Sequence, residues 1–171
     1  MRRGRPSLSA CRYHPCTMSD PGITRLRFDP QSTVLSVAGA ADLVLGVGIG
    51  ALADAVFRHD PPTPAELERA IDLVEDALMA SRLPHAERGE LFSADALLRG
   101  LPGLGTGEAG LTRAEVETLF QRLALASLGD PAARGDMPSG ARTAAALLVL
   151  RECMHHLGYD AVRVPATGAP C

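Results

Sequence analysis

The chain has neither tryptophan nor lysine, and only 4 % of its 171 residues are aromatic. The absence of lysine excludes enzymes that form a Schiff base through a lysine side chain. It also excludes the nucleotide-binding loops that need a lysine beside the phosphates. Because aromatic residues are scarce, the hydrophobic core has to be built from Leu, Val, Ile and Ala. The recognised motifs for a hydrolytic serine and for the H-E-x-x-H metal site are absent as well.

The net charge is distributed unevenly along the chain. The first 19 residues contain four arginines and no acidic residue, and the net charge of the whole chain is −3, so the remainder is strongly acidic. A nucleic-acid surface needs a basic patch that replaces the counterions of the phosphates. We therefore expect no nucleic-acid partner, and an acidic surface of this kind is typical of a soluble cytoplasmic protein.

Residues 1–20 lack the apolar stretch of a secretory signal, and their arginines and serines predict a disordered basic tail. Cys11, His14 and Cys16 form a C-x2-H-x-C cluster within this tail. A closed zinc site needs four ligands, so the cluster is incomplete by itself. The length of the chain suits one domain, and we expect a single globular domain at 21–165 followed by a flexible tail at 166–171.

Two short runs of strand-forming residues surround a turn near the N-terminus. Ile23–Phe28 and Thr33–Val37 are separated by the turn formers Asp-Pro-Gln-Ser at 29–32. This arrangement predicts a β-hairpin with a four-residue loop.

The segment Val34–Phe57 is almost entirely apolar, but it contains four glycines and two aspartates. A membrane-spanning helix needs about 20 apolar residues, and an aspartate near the bilayer centre costs about 3 kcal/mol. We therefore expect no membrane span here. The pattern instead predicts a strand, a glycine-rich turn and a short helix.

Two later segments begin with the same helix-start signal. Thr63–Glu66 and Thr112–Glu115 both carry a threonine followed three residues later by a glutamate, which predicts a capping box at the start of each helix. Apolar residues then recur at helical spacing. We expect these helices to end near Arg82 and Gly129, with a flexible loop over 100–110 between them.

The segment Ser139–Leu157 is apolar on all sides through its middle, which is typical of a buried helix. Ser139 is expected to cap it and Gly158 to close it, and Tyr159–Val164 resembles a final short strand. Strands and helices are segregated along the chain, which indicates the α+β class. The predicted fold has an N-terminal β-hairpin, four to five helices packed around the central apolar helix (about 140–157), and a short C-terminal strand.

The end of the apolar helix carries the best candidates for acid/base catalysis or metal binding, namely Glu152, His155 and His156. Glu152 and His155 have the Glu-x-x-His spacing of metal-binding helical bundles, although such bundles need this motif twice. Glu152 and His156 also share one helix face, where a simple ion pair forms. A metal or acid/base site would bring these residues together with another histidine or acidic residue around one cavity, and His59 and His85 are the candidates. No cofactor is predicted other than a divalent metal ion at these residues.

Gly46, Gly48 and Ala51 match G-x-G-x-x-A, the pattern of dinucleotide-binding turns. A complete site also needs a second parallel strand with an acidic residue near its end, and the sequence after Ala51 predicts helix instead. Close packing of the small residues against a neighbouring element is the alternative interpretation.

No coherent site follows from these patterns, so three functions remain open. The main prediction is a small non-catalytic accessory, assembly or regulatory protein that acts through a protein partner or as a homo-oligomer. The alternative is a metal-dependent or acid/base enzyme using Glu152, His155 and His156. The third is nucleotide binding at Gly46–Ala51.

Overall fold

A computed structural model describes residues 23–37, 39–83, 86, 88–105 and 109–165 of the protein. The cluster Cys11, His14 and Cys16, the residue His85, and the predicted tails 1–20 and 166–171 lie outside the described residues.

The described residues form one sheet and a layer of helices. The strands are β1 (Thr24–Phe28), β2 (Thr33–Val37), β3 (Leu43–Leu45), β4 (Arg88–Phe92), β5 (Ala109–Thr112) and β6 (Tyr159–Val164). The helices are α1 (Ile49–Ala55), α2 (Pro64–Ala80), α3 (Ala96–Arg99), α4 (Arg113–Ser127), α5 (Pro131–Arg134) and α6 (Ala141–Leu157). None of these helices has the combined length and hydrophobicity that a membrane crossing requires.

The sheet is mixed, with the strand order β3-β2-β1-β4-β6-β5. Strands β1, β2 and β3 are antiparallel neighbours, and the predicted hairpin is present with Phe28 opposite Thr33. Strands β1, β4 and β6 run parallel, while β5 is antiparallel to β6. The three parallel strands therefore begin at one edge of the sheet and end at the other.

Helix α6 is the centre of the helical layer, because α1, α2, α3 and α4 all pack against it. Every side chain from Ala144 to Leu150 is buried, as the absence of a polar face predicted. Full burial of a leucine contributes about 1.5–3 kcal/mol, so α6 holds a large share of the core's hydrophobic stabilisation. The predicted α+β class, with its hairpin, central apolar helix and C-terminal strand, is confirmed.

Local hydrogen bonds at the helix ends follow the sequence patterns with one exception. Helices α2 and α4 both start with the predicted capping box. Gly158 ends α6 in the left-handed conformation, with φ at +80°. The prediction that Ser139 caps α6 is wrong: Gly140 holds the cap position, and its N–H donates to Oδ2 of Asp60 at 3.1 Å. A side chain 80 residues away in the chain satisfies the helix end, and local sequence does not reveal such a partner.

Candidate functional site

Three side chains from two helices meet beside the C-terminal half of α6. Glu75 comes from α2, whereas Glu152 and His156 lie one turn apart on the same face of α6. One ligand atom of each residue lies within 4.8 Å of the corresponding atoms of the other two. We refer to Glu75, Glu152 and His156 as the helix cluster.

Glu152 is the buried member of the helix cluster, with a side-chain exposure of 0 %. Its Oε1 accepts a hydrogen bond from Nη1 of Arg151 at 2.5 Å. Its Oε2 accepts no hydrogen bond from any residue that the structure describes, although Nε2 of His156 lies 3.4 Å away. A buried acceptor without a partner costs about 1–3 kcal/mol, so the orientation of this oxygen has to have a physical cause.

Arg151 holds the other side of the Glu152 carboxylate in place. Its Nε donates to Oε2 of Glu117 at 2.8 Å, and its guanidinium lies 4.9 Å from the centre of the Phe120 ring. Burial alone would lower the pKa of Arg151, but the hydrogen bonds with Glu117 and Glu152 outweigh burial and raise it. Arg151 is therefore a fixed positive charge that leaves Oε2 of Glu152 directed towards the histidine.

The remaining two members open the helix cluster to solvent. Nε2 of His156 lies 3.2 Å from Oε1 of Glu75, and the two side chains are 33 % and 41 % exposed. His155 is exposed and lies outside the cluster, with its ring edge-on to that of His156. The structure therefore brings together two of the three residues that the sequence suggested. It adds Glu75, which no local pattern indicated.

Cys153 lies beside the helix cluster in the chain but faces the core. It is completely buried, and burial together with the charge of Glu152 raises the pKa of its thiol to about 12. Nucleophilic cysteines react as thiolates, so this side chain has no role as a nucleophile in the folded protein.

The helix cluster lies at the edge of the sheet where the parallel strands begin, which we call the amino edge. Helix α6 passes through Gly158 directly into β6, so His156 is close to the first residue of that strand. That residue, Tyr159, pairs with Arg88, the first residue of β4.

The opposite edge, which we call the carboxyl edge, is where β1, β4 and β6 end. Asp29 directly follows β1, and its carboxylate lies 3.3 Å from the guanidinium of Arg27 and 3.4 Å from the hydroxyl of Ser32. Ser93 directly follows β4, and its buried hydroxyl oxygen accepts a hydrogen bond from the N–H of Asp95. Ligands of open sheets with parallel strands bind outside the carboxyl ends. This edge is therefore the second candidate location for a site.

The glycine motif has a clear steric role behind the β1–β2 turn. A Cβ on Gly48 would lie 2.4 Å from the backbone N of Ser32, and one on Gly50 would lie 2.8 Å from the carbonyl oxygen of Pro30. The N–H of Ala51 donates to the same carbonyl at 2.9 Å. The preceding strand β3 is antiparallel to β2, its one neighbour in the described sheet, so the expected parallel partner is not found there. Nucleotide binding at Gly46–Ala51 is untested, but close packing explains two of its glycines.

His59 and Asp60 are engaged at helix starts rather than in the helix cluster. Nδ1 of His59 lies 2.9 Å from Oε1 of Glu66, the capping-box glutamate of α2. Asp60 pairs with Arg134 at 3.1 Å and accepts from Gly140 at the start of α6. His59 therefore does not supply the further ligand that the sequence suggested.

Comparison with known proteins gives matches only at the level of structure, since no protein-family model and no curated protein sequence matches the chain. The Ppx/GppA phosphatase of Aquifex aeolicus, in its type II variant, superposes with a TM-score of 0.62 at 15 % identity, covering 88 % of this chain and 55 % of that one. An exopolyphosphatase from Cytophaga hutchinsonii gives 0.55 at 14 % identity, with the same coverages. An exopolyphosphatase-like protein gives 0.57 at 11 % identity, covering 92 % and 59 %.

The chain thus spans little more than half the length of these structural neighbours, and at this identity the likeness establishes a shared fold. The prediction of a non-catalytic accessory protein is wrong, because the fold is one that a group of phosphatases uses. The neighbours favour the alternative prediction of an enzyme. The catalytic roles suggested for Glu152, His155 and His156, and the suggested protein partner, stay predictions.

Proposed function

We propose that this protein is a phosphate-hydrolysing enzyme whose substrate binds at the carboxyl edge. The observation that carries the proposal is that three parallel strands end towards this edge. β4 ends opposite Arg25, and β1 runs three residues further before Asp29 follows it. A carboxylate, Asp29, and a hydroxyl, Ser93, directly follow two of these strands. The structural neighbours named above include phosphatases and exopolyphosphatases, which favours a chain of phosphates as the substrate class.

The chemistry of such a reaction fits the groups at the turn. Water adds to a terminal phosphorus, the bridging P–O bond breaks, and inorganic phosphate leaves a chain that is one unit shorter. A positioned carboxylate that accepts a proton from the attacking water accelerates such a step by about 10²–10⁴-fold. Asp29 has this role in the proposal, and the adjacent Arg27 supplies positive charge for a phosphate oxygen.

The turn that holds Asp29 is rigidly supported, as a catalytic group requires. The N–H of Asp29 donates to the carbonyl of Ser32 at 2.8 Å, and the carbonyl of Pro30 accepts from Ala51 on α1. The backbone of the turn is also packed tightly against Gly48. Because catalytic groups lose much of their effect when misplaced by about 1 Å, this support favours a functional turn.

The test is the release of inorganic phosphate from short-chain polyphosphate, with p-nitrophenyl phosphate as a comparison substrate. We expect D29N to lower kcat by about 100-fold or more. D72N, which removes an exposed carboxylate from α2, is the matched control and should leave the rate unchanged. The proposal is overturned if the wild-type chain releases phosphate from neither substrate, or if D29N is as active as D72N.

A further inference from the structure

We infer that the helix cluster binds one divalent transition-metal ion at the amino edge of the sheet, separately from the proposed substrate site. The donor atoms are one carboxylate oxygen each from Glu75 and Glu152 and Nε2 of His156. This inference does not depend on the proposed function, since it concerns other residues at the opposite edge of the sheet.

Oε2 of Glu152 has no hydrogen-bond partner in the part of the chain that the structure describes. Nearly all buried polar atoms in proteins have a partner, so each exception calls for one that the protein atoms do not supply. Oε2 of Glu152 belongs to a side chain that is 0 % exposed, and it points towards His156 and Glu75. Arg151 occupies Oε1 and places a positive charge on that side of the carboxylate, which leaves Oε2 as the available ligand atom.

The spacing of the donor atoms fits a metal ion. Zinc is bound by nitrogen and oxygen ligands at about 2.0–2.2 Å, so two ligands of a tetrahedral site lie about 3.3–3.6 Å apart. Nε2 of His156 lies 3.2 Å from Oε1 of Glu75 and 3.4 Å from Oε2 of Glu152. The carboxylate oxygens of Glu75 and Glu152 lie within 4.8 Å of each other, so this third pair closes by up to about 1.5 Å when both bind one ion. A protonated histidine that bridges two carboxylates has similar distances and is the outcome that the test must separate.

The ligand types indicate which ions are preferred. An imidazole with two carboxylates suits Zn²⁺, Mn²⁺ or Fe²⁺, whereas Mg²⁺ requires oxygen ligands in an octahedral arrangement. Two carboxylates balance the two positive charges of the ion. Arg151 lies on the far side of Glu152, where Glu117 offsets its charge. The partial exposure of Glu75 and His156 gives the ion an entry path and leaves a coordination position for water.

The two adjacent histidines offer a matched pair of variants. Isothermal titration of the full chain with Zn²⁺ should give one site per chain, with much weaker binding of Mg²⁺. H156N should weaken Zn²⁺ binding by at least about tenfold, since even outer-shell partners of metal ligands are worth 10- to 100-fold. H155N removes an exposed histidine from the same helix turn and should bind as the wild type does.

The zinc affinities of the variants distinguish a specific metal site at the helix cluster from adventitious binding and from an ion pair that binds no metal. Equal weakening in H155N and H156N indicates adventitious binding to surface histidines and overturns the inference, as does the absence of saturable binding. E152Q should also abolish tight binding, and circular dichroism in the presence of a chelator establishes whether this variant folds. If E152Q does not fold, E75Q replaces it, because Glu75 is half-exposed on α2. D29N, at the opposite edge, should bind Zn²⁺ normally, so failure of the phosphatase proposal leaves this result unaffected.

Discussion

Replacing Gly48 with alanine should destabilise the fold far more than the same replacement at Gly46, two residues earlier. The new methyl carbon at position 48 would lie 2.4 Å from the backbone N of Ser32 and 2.5 Å from backbone atoms of Gln31 and Pro30. Carbon contacts are most favourable at about 3.5–4.0 Å, so the turn or α1 must move by about 1 Å. Overpacking of this kind costs about 1–3 kcal/mol, and three backbone contacts place G48A at the upper end.

Thermal unfolding followed by circular dichroism measures this difference directly. For a domain of this size, a loss of about 3 kcal/mol lowers Tm by about 6–12 °C. A methyl group on Gly46 would meet nothing within 4 Å, so G46A should be neutral or slightly stabilising. If G48A and G46A melt within about 2 °C of each other, the steric role of the motif is refuted. A nucleotide-dependent rise in Tm that G48A alone abolishes would instead support a binding role.

Two further predictions concern ionisable side chains. Burial alone would raise the pKa of Glu66, but hydrogen bonds from His59 and from backbone groups such as the Thr63 N–H outweigh it and lower the pKa to about 2. The stability that ionised Glu66 adds is therefore complete above about pH 4.5 and is lost as the pH falls towards 2. In E66Q, the free energy of unfolding measured in urea should depend less on pH over that range than it does in the wild type. Cys153, with its pKa raised to about 12 by burial, should react with thiol reagents only as fast as the protein unfolds. Rapid labelling of Cys153 itself in native buffer, located by peptide mass mapping because the chain has four cysteines, would contradict this placement.

Elements whose causes are local in sequence were predictable. The capping boxes of α2 and α4 depend on residues three positions apart, and both Thr63 and Thr112 start helices as expected. The buried α6 followed from a segment without a polar face, and Gly158 closes it as the pattern indicated. At the helix ends the stabilising contact lies within a few residues of the signal, and for α6 the signal is the composition of the segment itself.

Strand β4 shows why the sheet was harder to predict. Its sequence, RGELF at 88–92, contains a glycine and charged residues, and such residues are depleted in strands. It is nevertheless a central strand, held between β1 and β6 by pairs such as Arg88 with Tyr159. These pairings join distant parts of the chain, so no local pattern specifies them. The same reason applies to β5, whose first residues fall in the segment expected to be a flexible loop.

The helix cluster was predictable only in part, for a related reason. The sequence shows that Glu152 and His156 are four residues apart, and a helix places residues with this spacing on one face. The participation of Glu75 depends on how α2 packs against α6, which is set by the core contacts of both helices. His155 was an equally good candidate by spacing alone. The rotation of α6 about its axis excludes it, since Cys153 and Met154 face the core.

The wrong prediction of a non-catalytic protein came from treating the absence of contiguous motifs as the absence of a site. In a sheet with parallel strands, functional residues follow the ends of several different strands, and the fold alone brings these ends to one edge. Asp29 and Ser93 follow strands β1 and β4, which are far apart in the chain but neighbours in the sheet. A site of this kind has no characteristic spacing in the sequence. Its presence has to be argued from topology, and its activity from variants such as D29N.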